Sequence, residues 1–568
     1  MSNEPNKLAP ADHAVGAGLG AVYVAWLLST ARGLGFARDE GFYFNACSHY
    51  ARWFQILFET PKRALERGAI DASWSANHEH PSLMKSFFAL SWMFFHEKWK
   101  VFHDASTAYR FPGMVMMGLC IYVTYVFAAQ AYSRRAGLVA AVLLGLAPNM
   151  FYNAHLACFD VPIMAMWICA IYMYWLAERK GGGYAIWAGI VYGLTLETKH
   201  NAWMMPAVVL PHAVMLHFKD LKSGAKGSTL PVPTSLLCMA LIGPVVFVGL
   251  WPWLWNDTLP RVQEYVNFHM NHEYYNIEFL GKNYFGPPSP PAYAPTLIFA
   301  TVPTVTVLLF VIGALDRLQA VVLRLLAPLL SLRKVKLPAF FASKVASDPY
   351  QTDLLILLGF AVPISVFFLP RTPIFGGTKH WFPAYPFLAI LAGRGFEIAF
   401  DACRSLVQAR FPSVTERTLQ TAMLLMVTVG PALITRHSHP FGLSSYVPFV
   451  GGTQGGADLG LNRQFWGFTT ESLGPYFEKN APKGATVFIH DTAWDSWARL
   501  VDEKRVPPTL RAVGSPTEAQ FSIVHHELHM AEVDYNIWVA YGKSTPDFVL
   551  THDGVPIISV YRRDDKAR

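Results

Sequence analysis

Charge is what this chain has least of. Only 15% of its 568 residues are Asp, Glu, Lys or Arg, against 53% hydrophobic and 14% aromatic, and the mean hydropathy is +0.27. Such a composition excludes an ordinary soluble domain or a disordered chain and describes an α-helical polytopic membrane protein. Cysteine is scarce as well: Cys120, Cys158, Cys169 and Cys238 lie inside or beside apolar runs, Cys47 in the first loop and Cys403 among basic residues. Without paired spacing there is no disulfide framework and no zinc site. Internal repeats and coiled-coil heptads are missing, and the one biased tract, Pro287 to Pro295, reads as a rigid loop. No small-residue cleavage site follows the first apolar stretch, so it reads as a retained membrane anchor. The formal charge of +7 comes from basic residues that punctuate apolar segments rather than gather on a soluble face. No nucleic-acid partner is expected.

What is there is apolar sequence in membrane-sized pieces. A bilayer core takes about 20 apolar residues per helix, and eleven stretches qualify: 14–34, 108–131, 136–154, 157–176, 184–199, 201–218, 233–254, 293–315, 353–370, 382–400 and 418–436. Basic residues fill alternate loops, with Arg134 and Arg135, Arg179 and Lys180, Lys219, Lys222 and Lys226, Arg317 to Lys344, and Arg404, Arg410 and Arg417. By the positive-inside rule those loops are cytoplasmic, as is the N-terminus. Loop 316–352 carries Arg317, Arg324, Arg333, Lys334, Lys336 and Lys344, whereas the similarly long loop 256–292 carries only Arg261 and Lys282. The scheme requires Leu83 to Phe95, interrupted by Lys85, to lie along or partly enter the outer surface as an interfacial helix. Residues 1–436 then form the membrane domain, with 35–107 as a first exterior loop. From 437 to 568 the polar, turn-rich sequence reads as an exterior α/β domain. Strand-like runs at Thr486 to Ile489, Phe521 to Val524, Phe548 to Leu550 and Ile557 to Tyr561 accompany a helical pattern at Trp494 to Leu500.

In this topology Asp39, Glu40, His80, Lys85, Arg110, Asp160, Lys199, His200, Lys379 and His380 all fall at the exterior face. Ionisable groups near membrane depth are costly and usually line a cavity or pathway; each alone is equally readable as a snorkelling anchor. Sugar transfer from a phosphate-linked donor needs a carboxylate that takes the acceptor proton and cations that stabilise the leaving phosphate. Asp39 is the candidate base, with Glu40 beside it. The same pair also reads as an acidic cap on the helix that starts near Gly41, and the two readings coexist. Lys85, Arg110, Lys199 and Lys379 are candidate phosphate contacts. Glu79, His80, Asp160, His200 and His380 are candidate substrate contacts, and Asp160 is also placed to pair with Arg110 or Lys199 or to cap the helix before Pro162. One-residue alternation puts His78, Glu79 and His80 on unlike faces, so no metal site is expected there. His525-His526-Glu527-Leu528-His529 lacks the histidine spacing of a zinc protease helix and reads as a surface segment.

Together, Asp39-Glu40, His80-Pro81-Ser82-Leu83-Met84-Lys85, Tyr109-Arg110-Phe111-Pro112, Asp160-Val161-Pro162, Thr198-Lys199-His200-Asn201 and His380-Trp381-Phe382-Pro383-Ala384-Tyr385-Pro386 resemble the family 39 protein O-mannosyltransferases and their bacterial relatives. The His-Pro-x-Leu-x-Lys stretch is closer to the mannosyltransferases than to the aminoarabinose transferases of that superfamily, and Tyr446 to Gly460 is similar to a segment of uncharacterised bacterial members. The resemblance implies a GT-C fold, a polyprenyl-phosphate-sugar donor, inversion at the anomeric carbon, and a site at the periplasmic or luminal face of a bacterial inner membrane. It implies no cofactor and no divalent metal. The family's acceptor-side acid falls on Asp39, its lipid-phosphate contact on Lys85 and its essential arginine on Arg110. Two departures stand out. The loop Asn256 to Ala292 has no room for the sugar-binding insert of the eukaryotic enzymes, and His78 stands where they carry an acid. The acceptor is therefore left open among protein, lipid and glycan. A flippase, or an inactive scaffold that binds lipid-linked sugar, is the competing class. Transporters show repeated halves and acids buried mid-span, and neither is found here.

Overall fold

A computed structural model describes residues 7–218, 232–332, 348–374 and 376–564, without the side chains of 328–332. Helices occupy all eleven apolar stretches, beginning with α1, Pro10–Thr30. Among the described residues five helices are long and apolar enough to cross a membrane: Pro10–Gly33, Ala105–Ala131, Asp160–Lys180, Thr304–Ala327 and Glu416–Ser438. The pair Arg134–Gly145 and Pro148–Ala154 makes a sixth if its 74° bend is one broken span, and Gly183–Leu196, Thr234–Leu250 and Thr352–Phe368 are shorter apolar helices.

Proline accounts for the main departures from continuous spans. The stretch 136–154 breaks where Pro148 starts a new helix and Ala147 is pushed to an extended φ/ψ of −129°/128°, because proline offers no N–H and crowds the residue before it. Pro303 likewise separates Tyr293–Thr301 from Thr304–Leu332, and Pro206 opens the short helix Pro206–Leu216 after a 3-10 turn at His200–Met204. Between the Thr304–Leu332 helix and the long Tyr385–Arg410 helix the backbones touch: a Cβ on Gly313 would stand 1.9 Å from the Leu391 carbonyl oxygen, and one on Gly395 equally close to that of Leu309. Small residues at such crossings let apolar helices approach for dispersion contact.

The bundle separates its charges by end. At one end Arg134 pairs with Asp12 at 2.6 Å, Arg324 with Asp353 at 2.8 Å and Arg394 with Asp316 at 3.1 Å. The 27-residue Ala105–Ala131 helix, roughly 40 Å long at 1.5 Å per residue, carries Arg110 away from that cluster to the opposite end, where Asp39, Asp160, Lys199 and Lys379 also lie. Lys219, Lys222, Lys226, Arg333, Lys334, Lys336 and Lys344 fall outside the described residues.

The first exterior loop holds α2, Arg38–Glu59. The segment Leu83 to Phe95 is helical at Leu83–Ser91 and continues as a π-helical turn to Lys98. Met84, Lys85 and Phe88 are buried while Phe87 is exposed, so this helix buries one face against α2 and Ala105–Ala131. Within loop 256–292 a small hairpin, β1 (Ile277–Phe279) with β2 (Lys282–Tyr284), reaches the C-terminal part through Gly281 N–H donating to the Gly460 carbonyl at 2.9 Å.

That C-terminal part builds one five-stranded sheet from β3 (Thr486–Ile489), β4 (Arg511–Val513), β5 (Phe521–His525), β6 (Phe548–His552) and β7 (Val555–Arg562), in the order β4-β3-β5-β7-β6. β3 runs parallel to β4 and β5, whereas β7 is antiparallel to β5 and β6. The expected surface segment beginning at His525 is corrected here. His525 ends the central strand β5, every residue of which is buried, and Glu527 is buried after it. The continuous apolar run Phe521 to Val524 sets that strand between two neighbours and carries the histidine in with it.

Burial holds the His490 and His526 imidazoles down to about 4, helped at His490 by Arg38 and at His526 by Arg463, and pushes His525 well below its ordinary value, with His490 next in effect. All three fold as neutral rings. In the unfolded chain they bind protons below about 6.5, so folding stability falls as pH drops from about 6.5 toward 4. Thermal scans of the full-length protein are expected to show a Tm that declines over this window, with a shallower decline in His526→Gln; an unchanged slope would contradict the burial reading.

Candidate functional site

The end of the bundle that carries Arg110 is organised by a salt bridge with no exposure to solvent. Arg110, six residues into its helix, donates from Nε to Glu40 Oε1 at 2.8 Å and from one Nη to Glu40 Oε2 at 2.7 Å; both side chains are 0% exposed. Its remaining N–H groups go to the carbonyls of Ala31, Leu34 and Gly35 at 3.3, 2.8 and 2.7 Å. Glu40 also accepts the backbone N–H groups of Ala37 at 3.0 Å and Ala157 at 3.0 Å. All five guanidinium donors are therefore used. This corrects two expectations: Arg110 has no donor left for a phosphate, and Glu40 has no face left for an acceptor. Glu40 satisfies the first turn of α2 while Arg110 gathers the carbonyls that end α1.

Lys85 is corrected on the same ground. Its ammonium is buried and donates to the Asn77 carbonyl at 2.5 Å, the His80 carbonyl at 2.9 Å and Asn77 Oδ1 at 3.4 Å. It holds the His-Pro loop closed from beneath. Burial pulls its ammonium down to about 7, against the opposing charge of Glu79 first. Glu79 itself is held by the Asn77 amide, and its carbonyl meets His269 Nε2 at 2.8 Å.

Two acid–lysine pairs remain beside this scaffold. Asp39, one residue before Glu40 and turned the other way, pairs with Lys379 at 3.4 Å; the side chains are 28% and 7% exposed. Lys379 Nζ also lies 3.8 Å from the centroid of the Trp466 ring, where the π face stabilises the cation. Asp160 pairs with Lys199 at 2.6 Å, the lysine being one of the two cations read as its partner. The pairs are neighbours, since Cys158 lies within electrostatic reach of Asp39, Asp160 and Lys379, and His80 of Lys199 and Lys379.

Histidines fill the space between. His80 lies 5.7 Å from His269, which stacks on His200 at 4.0 Å. The His380 carbonyl accepts from the Asn201 amide at 3.2 Å, tying the 3-10 turn His200–Met204 to the segment Gly377–Ala384. Burial first, then the Lys85 charge, holds His80 well below its ordinary value, and burial takes His269 down to about 4. The Nδ1 atoms of His80 and His200 have no partner within the protein, which suits neutral rings to hydroxyl groups. Among the described residues no three His, Cys, Asp or Glu side chains are grouped to hold a metal ion.

Sequence reasoning missed His269, Trp466 and Arg38. His269 sits in the helix Thr258–Met270, inside a loop read only for its basic residues; the run Tyr265, Phe268, His269 and His272 was the available signal. Arg38 pairs with Asp491 of the C-terminal part, and nothing local announces a partner 453 residues away.

Residues 87–248 match the family model described as dolichyl-phosphate-mannose-protein mannosyltransferase. The match covers less than a third of the 568 residues, and over that segment the chain is similar to that family. No curated protein matches it in sequence. Two solved structures are similar in chain path. ArnT from Cupriavidus metallidurans bound to undecaprenyl phosphate is 14% identical, with 95% of this chain and 97% of that one covered at a TM-score of 0.43. The oligosaccharyltransferase AglB from Archaeoglobus fulgidus, in complex with an inhibitory peptide and a dolichol-phosphate, is 12% identical, with 98% and 74% covered at 0.46. At those scores the two structures carry no argument for this chain. Its long apolar helices make it an integral membrane protein, and its motifs Tyr109-Arg110 and Lys199-His200 lie within the matched segment.

If Arg110 and Glu40 are scaffold, Arg110→Met or Glu40→Gln leaves one buried charge unpaired and costs about 3–5 kcal/mol. Thermal unfolding of detergent-solubilised protein is expected to show a large drop in Tm for both, with Arg110→Lys failing to restore it. An Arg110→Met protein that melts like wild type and loses only donor affinity would return Arg110 to the phosphate.

Proposed function

We propose that this membrane protein is a glycosyltransferase that moves a hexose, mannose in preference, from a polyprenyl-phosphate donor to a hydroxyl on a protein, lipid or glycan acceptor, at the exterior face and with inversion. The observation that carries the reading is the Asp39–Lys379 pair set beside Asp160–Lys199, a carboxylate and two ammonium groups at one end of the bundle. An inverting displacement asks for that set. Asp39 takes the proton of the acceptor hydroxyl as its oxygen attacks the anomeric carbon. The bond from that carbon to the phosphate oxygen breaks with its electron pair, and the phosphate leaves with the added negative charge.

Lys379 and Lys199 are the two cations of the site outside the closed scaffold, and they neutralise that charge. Arrival of the phosphate draws Lys379 from Asp39, which frees the carboxylate for the acceptor. Asp160 holds Lys199 in place, and the neutral His80 and His200 rings meet sugar hydroxyls. His380 and Glu79 contribute through the backbone and the loop they brace. No metal is called for, since two ammonium groups supply the countercharge.

The experiment is transfer of radiolabel from polyprenyl-phosphate-mannose, and from its glucose and pentose analogues, into protein, lipid and glycan fractions by purified enzyme. Asp39→Asn is expected to keep the wild-type Tm and to lose transfer by roughly 10²–10⁴-fold, the range a general base supplies. Lys379→Ala and Lys199→Ala are each expected to slow release of the lipid phosphate more than tenfold. Wild-type turnover in Asp39→Asn would remove its role as base. A wild-type protein that binds donor yet moves no label from any of them would favour the flippase or scaffold reading.

A further inference from the structure

Helix α2 divides the exterior end by the direction of its side chains. At about 100° per residue, Arg38 and Phe42 share one face, Gly41 lies to one side of them and Asp39 to the other. On the Gly41 side the helix rests on the C-terminal domain. A Cβ there would stand 2.6 Å from Ser496 Oγ and 2.7 Å from the Ser496 nitrogen. On the other side Asp39 meets Lys379. Between them Arg38 and Phe42 face a cleft of about 340 Å³ whose opposite wall is Asp491, Trp494 and Asp495.

The lining has an unusual make-up for a surface this close to charged groups. Phe42 is 48% exposed and Trp494 58%, one aromatic from each wall, although the helix opening at Trp494 buries its other tryptophan, Trp497. The floor is the Arg38–Asp491 ion pair, with the Asp491 side chain 2% exposed and its backbone held at a φ of 57°. Arg38 Nε is buried without a hydrogen-bond partner. Asp495 accepts from the Asn45 amide at a long 3.4 Å.

We propose that this cleft is the acceptor subsite and that it takes a neutral hexose oligosaccharide. The inference rests on the transferase reading for its purpose and narrows that reading to a glycan acceptor. Two carboxylates against one guanidinium repel a phosphate or an anionic headgroup, so the donor and the lipid surface are poor occupants. Sugar hydroxyls both donate and accept, and they suit a wall that offers the Asp495 carboxylate as acceptor and the half-exposed Arg38 guanidinium as donor. The apolar C–H face of a pyranose ring packs on electron-rich aromatic faces such as Phe42 and Trp494. The volume lies at the small end of the range of roughly 300–1,000 Å³ for small-molecule sites, enough for a terminal sugar unit or two. An extended peptide would ask instead for a strand edge or a longer groove. Asp39 follows Arg38, a lining residue of the cleft, on the same turn of α2.

Saturation-transfer NMR on full-length protein in nanodiscs tests the assignment, with mannotriose and maltotriose as probes and a Ser/Thr-rich peptide alongside. Saturation is expected to pass to the sugar C–H protons. Affinity is expected to fall about tenfold in Trp494→Ala, to recover in Trp494→Phe, and to fall again in Asp495→Asn. Trp494 is exposed, so these variants fold, and matching Tm values check it. No sugar signal, or an equal affinity in Trp494→Ala, overturns the subsite. A peptide signal with the same dependence on Trp494 overturns the carbohydrate class, and binding of Trp494 to phosphatidylglycerol vesicles in place of sugar overturns both. The transfer assay keeps the two readings apart: label moved by wild type with sugar binding indifferent to Trp494 sinks only the cleft, whereas Trp494-dependent sugar binding without any transfer sinks only the enzyme.

Discussion

A guanidinium and a carboxylate sealed from water hold one end of this molecule together. Removing two charges from solvent is expensive, and the interaction returns that cost only when geometry is good and every remaining donor and acceptor is met. Arg110 and Glu40 meet that condition through a bidentate pair, three carbonyls at the end of α1 and two backbone amides. One contact thereby fixes where α1 stops, where α2 starts, how the Ala105–Ala131 helix enters and where the chain passes at Ala157. Asp39 owes its position to this arrangement. It stands on the first turn of α2, next to a neighbour that cannot move, and faces Lys379 because Glu40 faces Arg110.

Much of this was legible in the sequence, and what was illegible has a common cause. The eleven apolar stretches, the helix at Trp494 and four of the five C-terminal strands could be read because burial in a bilayer or a sheet leaves a local pattern. β4, only Arg511–Val513, is too short to leave one. Convergence of Asp39, Asp160, Lys199 and Lys379 was readable as a shared face. Glu40 was readable as a cap on α2, whereas the roles of Lys85 and Arg110 were not, because a charge that serves a substrate and a charge that serves a carbonyl look alike in one dimension. Only the count of occupied donors distinguishes them. The surface reading of His525 failed for an equally spatial reason, since burial of β5 depends on the flanking strands β3 and β7, which are distant in the chain.

The two acid–lysine pairs differ in what surrounds them. Asp160–Lys199 is short and nearly dry, at 2.6 Å with 6% and 10% exposure, and behaves as a braced strut. Asp39–Lys379 is longer and open on the Asp39 side, with the lysine resting on an aromatic face that can hold it once the acid is released. A site that must exchange partners during a reaction needs one rigid member and one that yields, and α2 places the yielding one beside the cleft.

The backbone just before Asp39 is gripped by residues made much later. Arg38 N–H donates to the Trp466 carbonyl at 2.8 Å, and Ser496 Oγ donates to the Ala37 carbonyl at 3.2 Å, 459 residues on. A chain stopped before residue 466 would possess the acid, the lysines, the membrane helices and the Arg110–Glu40 bridge, yet lack both of these fastenings. During synthesis the two bonds that tie the start of α2 to the C-terminal part are therefore the last to form.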